Sequence, residues 1–319
     1  METETENRPY LGSLLVILAT AGWGASGLFI KLVVTEMSIS ALALAFWRDL
    51  TTFACLLGGL ALIRPALLKV DRRDIKWLAG LGVFSIGTFH VLWNLNVWTN
   101  GVAVATVLQE AAPAFVALIA WLAWRESITR LKVLAMLITF AGCVLVVRPD
   151  ALGQVKVSPL GILIGLGSAL TYGSFSLFAK QLSGKYSPWT ILTYGFGIGA
   201  LVLFPVQFLS PGPWPVLTPA RWWFIALIAL PTILAFASYT LGLRWLSASV
   251  AAILGTAEVV FGSLYAYVFL DERLDWVQIV GAILVISGVV ALSLFRGRPA
   301  SRRRAGVMST RVETSGDSI

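Results

Sequence analysis

Two stretches of the sequence repeat each other, and this repeat decides the fold. Residues 93–147 read WNLNVWTNGVAVATVLQEAAPAFVALIAWLAWRESITRLKVLAMLITFAGCVLVV, and residues 239–292 read YTLGLRWLSASVAAILGTAEVVFGSLYAYVFLDERLDWVQIVGAILVISGVVAL. At an offset of 146, identical residues coincide: Leu95 with Leu241, Leu108 with Leu254, Glu126 with Glu272 and Gly142 with Gly288. Both stretches are long, apolar and poor in charge, so they predict the same group of membrane helices present twice.

The repeat continues toward the start of each half of the chain. At an offset of 149, the matching positions are Leu11-Gly12 with Leu160-Gly161, Trp23-Gly24 with Tyr172-Gly173, and Lys31 with Lys180. We therefore divide the chain into two repeats, residues 11–148 and residues 158–295. A linker of residues 149–157 joins the repeats, and two polar tails, residues 1–10 and residues 296–319, flank them.

The composition favours a protein that crosses a membrane many times. The chain of 319 residues is 58% hydrophobic and 13% charged, with a mean hydropathy of +0.84. A soluble domain of this size cannot bury so much apolar surface. Apolar segments of about 20 residues, the length that crosses a bilayer as a helix, recur along the chain. They predict an all-α integral membrane protein with ten transmembrane helices, near residues 11–33, 38–63, 76–98, 101–124, 130–148, 158–180, 188–209, 221–244, 248–270 and 276–295.

Each repeat contains five predicted spans, and this odd number fixes the relation between the repeats. The second repeat must enter the bilayer from the side opposite to the first, which gives two inverted-topology five-helix repeats. That architecture is typical of secondary transporters, whose substrate site lies between the repeats near the bilayer midplane. The sequence therefore predicts a carrier with a central cavity.

The distribution of basic residues orients the chain. With the N-terminus on the cytoplasmic side, eighteen lysines and arginines fall in cytoplasmic segments and five in outer segments. This bias follows the positive-inside rule and predicts cytoplasmic N- and C-termini in a bacterial inner membrane. The same bias explains the net charge of +8, so the predicted partner is the lipid bilayer and not a nucleic acid.

Several classes of function lack their residues in this sequence. The chain holds one histidine, His90, and two cysteines, Cys55 and Cys143, without the spacing of metal ligands. Phosphate-binding loops, dinucleotide fingerprints and nucleophile elbows are missing from the sequence. We predict no metal site, no cofactor and no direct use of ATP.

Ionisable residues inside apolar spans predict where the cavity lies, because such residues usually face the interior of a helix bundle. Five residues qualify: Arg48, Asp49, His90, Glu110 and Glu258. Arg48 and Asp49 are neighbours in sequence and point about 100° apart on a helix, so we predict that they do not pair with each other.

Aromatic and polar residues gather around these positions. His90 and Asn94 are four residues apart and share one helix face, with Trp93 beside it. Repeat symmetry sets Trp23 against Tyr172, and Trp93 against Tyr239. The predicted substrate-binding residues are His90, Trp93, Asn94, Trp23, Tyr172, Tyr239, Glu110, Glu258 and Tyr265. Pro113, Gly24 and Gly173 are the predicted hinge or gating residues.

The residue types predict the kind of solute. A pocket lined by rings with a few polar groups suits a planar, amphipathic molecule. His90 and Asn94 would supply hydrogen bonds, the rings would stack on the solute, and Glu110 or Glu258 would attract an ammonium group.

The two quoted stretches share a further pattern. Each has an aromatic entry residue, Trp93 or Tyr239, then small residues at the following turn, a glutamate at the end of the fourth helix and a glycine in the fifth. This pattern resembles the EamA module of the drug/metabolite transporter superfamily, which also carries a proline or Glu-Pro in the middle of the fourth helix. The first repeat has Pro113 there, whereas the second repeat has Glu258-Val259.

The chain resembles in particular the bacterial aromatic amino acid exporters of YddG type, with His90 and Trp93 in the third span. The resemblance implies a carrier that exports aromatic amino acids, and related compounds such as methyl viologen, by alternating access. It implies no enzyme activity.

Other functions on the same fold stay open at this point. Exporters of other amino acids or of cationic drugs would use the same rings together with Glu110. An antiporter of phosphorylated metabolites would need several basic residues at mid-depth, where the sequence offers only Arg48. A membrane enzyme would need a nucleophile–base pair or metal-binding carboxylates, and a single histidine without an acid at catalytic spacing does not supply them. Two fused repeats can form a complete pathway, so we predict a monomer.

Overall fold

The fold is entirely helical in the part of the chain that the structure describes. The structure is a computed structural model that describes residues 9–37, 39–148, 158–209, 219–270 and 273–295. All regular elements within these ranges are helices, so the predicted all-α class is confirmed. The predicted linker 149–157 and nearly all of both predicted tails lie outside the described residues.

The first repeat contains six α-helices. They are α1 (Pro9–Met37), α2 (Ala41–Ile63), α3 (Ile75–Gly80), α4 (Phe89–Gln109), α5 (Ala112–Trp124) and α6 (Arg130–Val147). A π-helical segment, Leu81–Thr88, joins α3 to α4, and two short 3-10 turns, Pro65–Leu68 and Arg72–Asp74, precede α3.

The second repeat contains six more. They are α7 (Pro159–Ser183), α8 (Pro188–Val206), α9 (Pro219–Gly242), α10 (Ala248–Gly255), α11 (Ala257–Phe269) and α12 (Trp276–Phe295). A 3-10 turn, Gln207–Leu209, follows α8.

Several helices begin at hydroxyl residues that cap them. The side-chain oxygens of Ser40, Thr129, Ser158 and Ser187 each accept a hydrogen bond from the backbone N–H three residues later, at 3.0–3.3 Å. These bonds satisfy amide groups that a helix start leaves unpaired. Ser158 and Ser187 are each followed by a proline, which has no amide hydrogen to lose at the first helical position.

Seven helical stretches are long and apolar enough to cross a bilayer: Ala41–Ile63, Arg72–Gln109, Arg130–Val147, Pro159–Ser183, Pro188–Leu209, Ala248–Phe269 and Trp276–Leu294. Shorter apolar helices at Pro9–Ala25, Ala112–Trp124 and Ala229–Gly242 fall where the first, fourth and eighth spans are predicted. A multi-pass membrane protein is therefore confirmed, while the number of ten spans stays a prediction.

One of the seven stretches is too long for a single crossing. Arg72–Gln109 has 38 residues, about 57 Å if straight, against a hydrocarbon core of about 30 Å. The chain turns within it at Gly101, whose φ of 73° and ψ of 161° are not helical. A side chain disfavours this positive φ, so glycine suits the turn between the third and fourth spans.

The pairing of α6 with α12 shows that the repeats are inverted. A Cβ atom on Gly142 would lie 2.7 Å from the carbonyl oxygen of Gly281, so the two backbones touch there. Near the end of α6 and the start of α12, the Gln278 amide donates to the Val146 carbonyl at 3.0 Å. Farther back along α6 and farther on along α12, Gly288 packs on Thr139. Residue numbers rise along one helix as they fall along the other. Because α6 and α12 are the fifth spans of the two repeats, their antiparallel course confirms the inverted topology.

The first helix of each repeat is wedged between the third and fourth spans of the other. The α1 helix packs along α9 and α11, and α7 packs along the π-helical segment, α4 and α5. A Cβ on Gly24 would lie 2.8 Å from the Gly262 nitrogen, and one on Gly173 would lie 2.8 Å from Cγ2 of Val116. These two contacts are equivalent under the repeat, and they bring Trp23 and Tyr172 to the centre of the molecule.

The fourth span of each repeat is interrupted at an equivalent place. In the first repeat α4 ends at Gln109 and α5 starts at Ala112. In the second repeat the interruption falls at Thr256, the equivalent of Glu110, although no proline follows there. The Thr256 hydroxyl donates to the Ile253 carbonyl at 2.8 Å, a local bond that competes with regular helix pairing.

Candidate functional site

The centre of the molecule holds a cavity made of two adjoining chambers. Both chambers are lined by Trp23, Phe89, His90, Gln109, Tyr172 and Phe236. The Tyr239 chamber adds Ser85, Ile86, Glu110, Ala112, Pro113, Gly173, Phe175, Ser176, Phe196, Tyr239, Ala252, Gly255 and Thr256. The Arg48 chamber adds Ala41, Leu44, Ala45, Arg48, Trp93, Asn94, Thr232 and Glu258. Both repeats contribute to each chamber, as expected for a site at the repeat interface.

Aromatic rings form most of the cavity wall. The Trp23 ring centroid lies 5.0 Å from that of Tyr239 and 5.1 Å from that of Phe236. Phe89 and Tyr172 approach to 5.2 Å. These separations are those of favourable edge or tilted ring contacts. The indole N–H of Trp23 is buried and has no hydrogen-bond partner among the described residues, so it is available to a solute.

Two tyrosines present their hydroxyl groups to polar partners on other helices. The Tyr172 hydroxyl donates to a Glu258 carboxylate oxygen at 2.8 Å, and the Tyr239 hydroxyl shares a hydrogen bond with the Ser176 hydroxyl at 2.7 Å. Tyr172 thereby fixes the Glu258 side chain at the edge of the Arg48 chamber.

A cluster of three ionisable groups borders the Arg48 chamber. The Arg48 Nε donates to Asp49 Oδ1 at 3.3 Å, and its Nη2 meets Nε2 of His90. Asp49 is fully buried, and its Oδ2 lies 3.1 Å from His90 Nδ1, without the angle of a hydrogen bond. The prediction that Arg48 and Asp49 do not pair is therefore wrong. The long arginine side chain folds back along the helix and removes the 100° difference in direction.

Polar groups near the helix interruption complete the lining. The Asn94 amide donates to the His90 carbonyl at 2.7 Å, which ties it to its own helix. Gln109 is 8% exposed, and its buried Oε1 has no hydrogen-bond partner among the described residues. The Glu110 carboxylate contacts the buried Cys143 thiol of α6.

The structure brings most of the predicted substrate-binding residues together. Eight of the nine line the cavity: His90, Trp93, Asn94, Trp23, Tyr172, Tyr239, Glu110 and Glu258. Tyr265 lines neither chamber, because its ring lies between those of Phe261 and Phe269 on α11. Of the predicted hinge residues, Pro113 and Gly173 line the Tyr239 chamber, whereas Gly24 packs on Gly262.

Sequence reasoning missed several residues of the lining. Phe236 is the repeat equivalent of His90, and Gln109 adjoins Glu110, so both positions carried a usable signal. Ser176 and Phe175 carried none, because serine and phenylalanine are common at ordinary helix contacts in membranes. No group of three or more histidine, cysteine, aspartate or glutamate side chains within the described ranges could hold a metal ion.

Buried leucines pack at the end of the molecule where α7 and α9 finish, which we call the sealed end. They are Leu182, Leu243 and Leu246. The Lys180 ammonium group donates to the Leu243 carbonyl there, at 2.6 Å. The positive-inside prediction assigns this end to the cytoplasm.

Glu126 links the two repeats at the sealed end. Its carboxylate accepts a hydrogen bond from Lys132 at 2.8 Å and another from Ser249 of the second repeat. Partial burial alone would raise the pKa of Glu126, but the hydrogen bonds from Lys132, Ser247 and Ser249 outweigh it and lower that pKa below its ordinary value.

A second link between the repeats lies in the loops of the same end. Lys185 donates to Asp71 at 2.5 Å and to Asp74 at 2.6 Å, and the Tyr186 hydroxyl donates to Asp74 at 2.7 Å. The hydrogen bond from Lys185, with that from Tyr186, holds the pKa of Asp74 below its ordinary value. The same aspartates raise the pKa of Lys185.

The inverted repeats, the apolar exterior and the central cavity, lined by rings and a few polar groups, are the features of a multi-pass membrane transporter. Comparison with known proteins gives the family: the sequence model of the EamA-like transporter family matches residues 10–148 and residues 159–294, one match for each repeat. The chain belongs to the EamA-like transporter family.

Similar proteins carry transporter names. The "uncharacterized inner membrane transporter YicL" of Salmonella typhimurium is 25% identical over 304 residues, which cover 92% of this chain and 97% of that protein. The "pseudopaline exporter CntI" of Pseudomonas aeruginosa is 25% identical over 285 residues, which cover 88% of this chain and 95% of that protein. An "uncharacterized transporter" of Archaeoglobus fulgidus is 28% identical over 241 residues, which cover 75% and 84%.

A solved crystal structure shares the fold. It matches with a TM-score of 0.74 over 89% of this chain and 96% of its own, at 16% sequence identity. The family match shows a membrane transporter for small molecules, and the solved structure shows the fold.

Proposed function

We propose that this protein is a secondary carrier that exports aromatic amino acids across a bacterial inner membrane, with both termini in the cytoplasm. The observation that carries the proposal is the composition of the central cavity. Rings of both repeats surround a small number of charged groups of both signs. A planar solute with a zwitterionic end matches this combination.

The rings supply the apolar part of the match. The Trp23 ring centroid lies 5.1 Å from that of Phe236 and 5.0 Å from that of Tyr239. Each ring pair that a bound solute adds is worth about 0.5–1.5 kcal/mol beyond area burial. A solute with an aromatic side chain can therefore gain several such ring contacts. A solute with an aliphatic side chain of equal area gains only the free energy of burial.

Charged groups supply the polar part. Glu258 and Arg48 line the same chamber, and His90 adjoins Arg48. An amino acid bound between them would place its ammonium group toward Glu258 and its carboxylate toward Arg48.

In alternating access, the sealed end would open while the opposite end closes. With the sealed end in the cytoplasm, the cavity would face outward in this arrangement. Opening toward the cytoplasm would separate Glu126 from Ser249 and Lys185 from Asp74. Pro113 and Gly173 line the moving interface and are the proposed hinges.

Two further points support the proposal. One relative is named as an exporter, which favours outward transport. The two repeats enclose the cavity within one chain, so a monomer is a sufficient transport unit.

A cationic drug exporter is the second candidate, and a specific observation favours it. Glu110 and Glu258 both line the cavity among the rings, and two carboxylates with aromatic walls suit an organic cation. Arg48 counts against a cation, but its charge is already balanced by Asp49.

Transport assays with purified protein in liposomes separate these functions. We expect saturable flux of radiolabelled tryptophan and phenylalanine, weaker flux of threonine, and slow flux of a quaternary ammonium dye, each measured with and without a pH gradient. His90→Ala and Trp93→Ala should lower aromatic flux by about fivefold to tenfold, because each removes a wall of the cavity.

Trp98→Ala is the matched control for this experiment. Trp98 lies on the same helix as Trp93 but is 83% exposed and lines neither chamber, so its loss should leave flux unchanged. Dye flux above tryptophan flux would select the drug exporter instead. Equal flux in the wild type and in protein-free liposomes, for every solute, would overturn both candidates.

A further inference from the structure

Gln109 carries a buried polar atom that the described protein leaves unpaired. The residue is the last of α4, at the interruption of the fourth span, and it is 8% exposed. Its Oε1 has no hydrogen-bond partner among the described residues. A buried acceptor without a partner costs free energy, because it has lost water and gained nothing in return. Such groups are rare in folded proteins, and an atom that pairs only with a bound solute would account for this one.

The position of Gln109 points to a solute. Its side chain lines both the Tyr239 chamber and the Arg48 chamber, so it lies at the junction where the two chambers adjoin. The terminal bond of a glutamine side chain has only weak rotational preferences. A turn about this bond exchanges the places of the oxygen and the nitrogen, so either end of the amide can be offered to the cavity.

The nearby hydroxyl groups are engaged elsewhere. The Tyr172 hydroxyl donates to Glu258 at 2.8 Å, and the hydroxyls of Tyr239 and Ser176 share a hydrogen bond at 2.7 Å. None of these three groups has Gln109 as its partner. The acceptor of Gln109 is therefore left for a donor that the solute brings.

We propose that Gln109 is a specificity-determining residue that accepts a hydrogen bond from the indole N–H of tryptophan, which makes tryptophan the preferred aromatic substrate. The inference rests on the proposed function, because an aromatic amino acid must occupy the cavity. It adds a contact that distinguishes one aromatic amino acid from another, which ring contacts and charged groups alone do not supply.

The order of the groups along the cavity favours the indole N–H over other donors. An amino acid with its charged end between Arg48 and Glu258 would extend its ring past the junction, toward Tyr239. In tryptophan the N–H belongs to the five-membered ring, near the amino acid end, so it would fall beside Gln109. In tyrosine the hydroxyl sits at the far tip of the ring, and phenylalanine has no donor on its ring. The ammonium group of each already faces Glu258.

The expected preference comes from the cost of leaving Gln109 unpaired. A ring without an N–H would cover Oε1 and keep it without a partner in the complex, whereas tryptophan satisfies it. A site that forms a hydrogen bond to a solute therefore rejects the analogue that lacks the donor. For one bond between neutral groups, the expected preference is about tenfold.

Equilibrium binding to purified protein in lipid nanodiscs, measured by calorimetry, tests this contact. The two probes are tryptophan and β-(3-benzothienyl)alanine, in which a sulfur atom replaces the indole N–H while the shape of the ring is nearly retained. The wild type should bind tryptophan about tenfold more tightly than the sulfur analogue. A difference between these probes reports the N–H, because they have the same charged end and nearly the same ring area.

The variant Gln109→Met locates the effect. Methionine keeps the length of the side chain and removes its amide, so the preference for tryptophan should fall to about twofold or less. The loss should appear in tryptophan binding, while the affinity for the sulfur analogue is retained. Folding should not suffer, since an apolar replacement for an unpaired buried polar group is neutral or stabilising, and the melting temperature checks this.

Gln181→Met is the matched control. Gln181 is exposed near the end of α7 and lines neither central chamber. This variant undergoes the same chemical change as Gln109→Met, and it should keep the wild-type preference for tryptophan.

The outcomes separate this inference from the proposed function. Equal affinity of the wild type for tryptophan and for the sulfur analogue would overturn the indole contact while leaving the aromatic carrier intact. A preference that persists in Gln109→Met, or an equal loss of both probes in that variant, would overturn the role of Gln109. Failure of tryptophan, phenylalanine and the analogue to bind the wild type would overturn the proposed substrate class itself.

Discussion

The two repeats share a backbone plan, yet they divide the chemistry of the cavity between them. The first repeat supplies His90 and Glu110, and the equivalent positions in the second repeat are Phe236 and Thr256. Where both repeats keep a ring, as at Trp93 and Tyr239, the ring faces a different chamber. Both chambers have aromatic walls, but the Arg48 chamber adds Arg48 and Glu258, whereas the Tyr239 chamber adds Glu110.

This difference teaches which residues the symmetry constrains. Alternating access requires that the helices of one repeat move on the other in equivalent ways, so the close helix contacts are kept in both. Gly24 against Gly262 and Gly173 against Val116 are such a pair. Side chains that face the cavity carry no such constraint, and they can differ to fit an asymmetric solute.

The largest expected effect comes from breaking the cluster of Arg48, Asp49 and His90. Asp49→Asn removes the counter-ion of Arg48 in a buried place, and it should lower the free energy of unfolding by about 3 kcal/mol. Thermal unfolding of purified protein in detergent measures this loss. Asp71→Asn is the matched control, because Asp71 also pairs with a cation but is exposed, and a much smaller change is expected. Equal losses would show that the buried cluster is not special.

The next effect tests the symmetric contacts. A methyl group on Gly24 would meet backbone of α11 at 2.8 Å, whereas one on Gly173 would first meet the side chain of Val116. Gly24→Ala should therefore cost about 1–3 kcal/mol of stability, and Gly173→Ala should cost less, because a side chain can shift.

Gly58→Ala provides the reference for these two substitutions. Gly58 lies in α2, and a methyl group added to it would have no atom of the described neighbours within 4 Å, so alanine there should be neutral or slightly stabilising. A larger loss in Gly173→Ala than in Gly24→Ala would contradict the contacts described for the two repeats.

The smallest effect concerns the loop contact at the sealed end. Hydrogen bonds from Lys185 and Tyr186 lower the pKa of Asp74 below its ordinary value of 3.8. A lowered folded-state pKa stabilises the fold above the ordinary value, and this contribution disappears as the pH falls through the folded-state pKa. Asp74→Asn should thus lower the melting temperature slightly at neutral pH, and the variant and wild type should converge in acid.

The control for this measurement is Lys69→Gln, which changes an exposed charge in the preceding turn. Its difference from the wild type should not depend on pH in the acidic range. A difference between Asp74→Asn and the wild type that grows on acidification would have the wrong sign and would exclude the contact as described.

The backbone plan could be predicted from sequence because it depends on periodic, repeated features. Apolar length gives the spans, and the matches of Trp23-Gly24 with Tyr172-Gly173 give the two halves. The interruption at Thr256 could not be predicted from sequence, because no proline marks it. A threonine that bonds back to its own helix produces a similar break, and this bond depends on a rotamer that the sequence does not specify.

The cavity could be predicted in part, and the limits have physical causes. Rings at symmetric positions converge because the fold itself is symmetric. Pairing of Arg48 with Asp49 depends on how a long side chain folds, and helix angle alone does not determine it. Tyr265 shares a helix face with Glu258, but that face is wider than the cavity, so the ring packs on Phe261 instead.

The central claim is that one cavity, with aromatic walls and a few charged groups, carries aromatic amino acids by alternating access. Counterflow in liposomes tests it most directly. Vesicles that contain the purified protein and excess unlabelled tryptophan are diluted into labelled tryptophan, and the label inside is followed with time. The account predicts a transient accumulation of label above its equilibrium level, reduced in His90→Ala and retained in Trp98→Ala. A time course identical to that of protein-free vesicles would contradict the account.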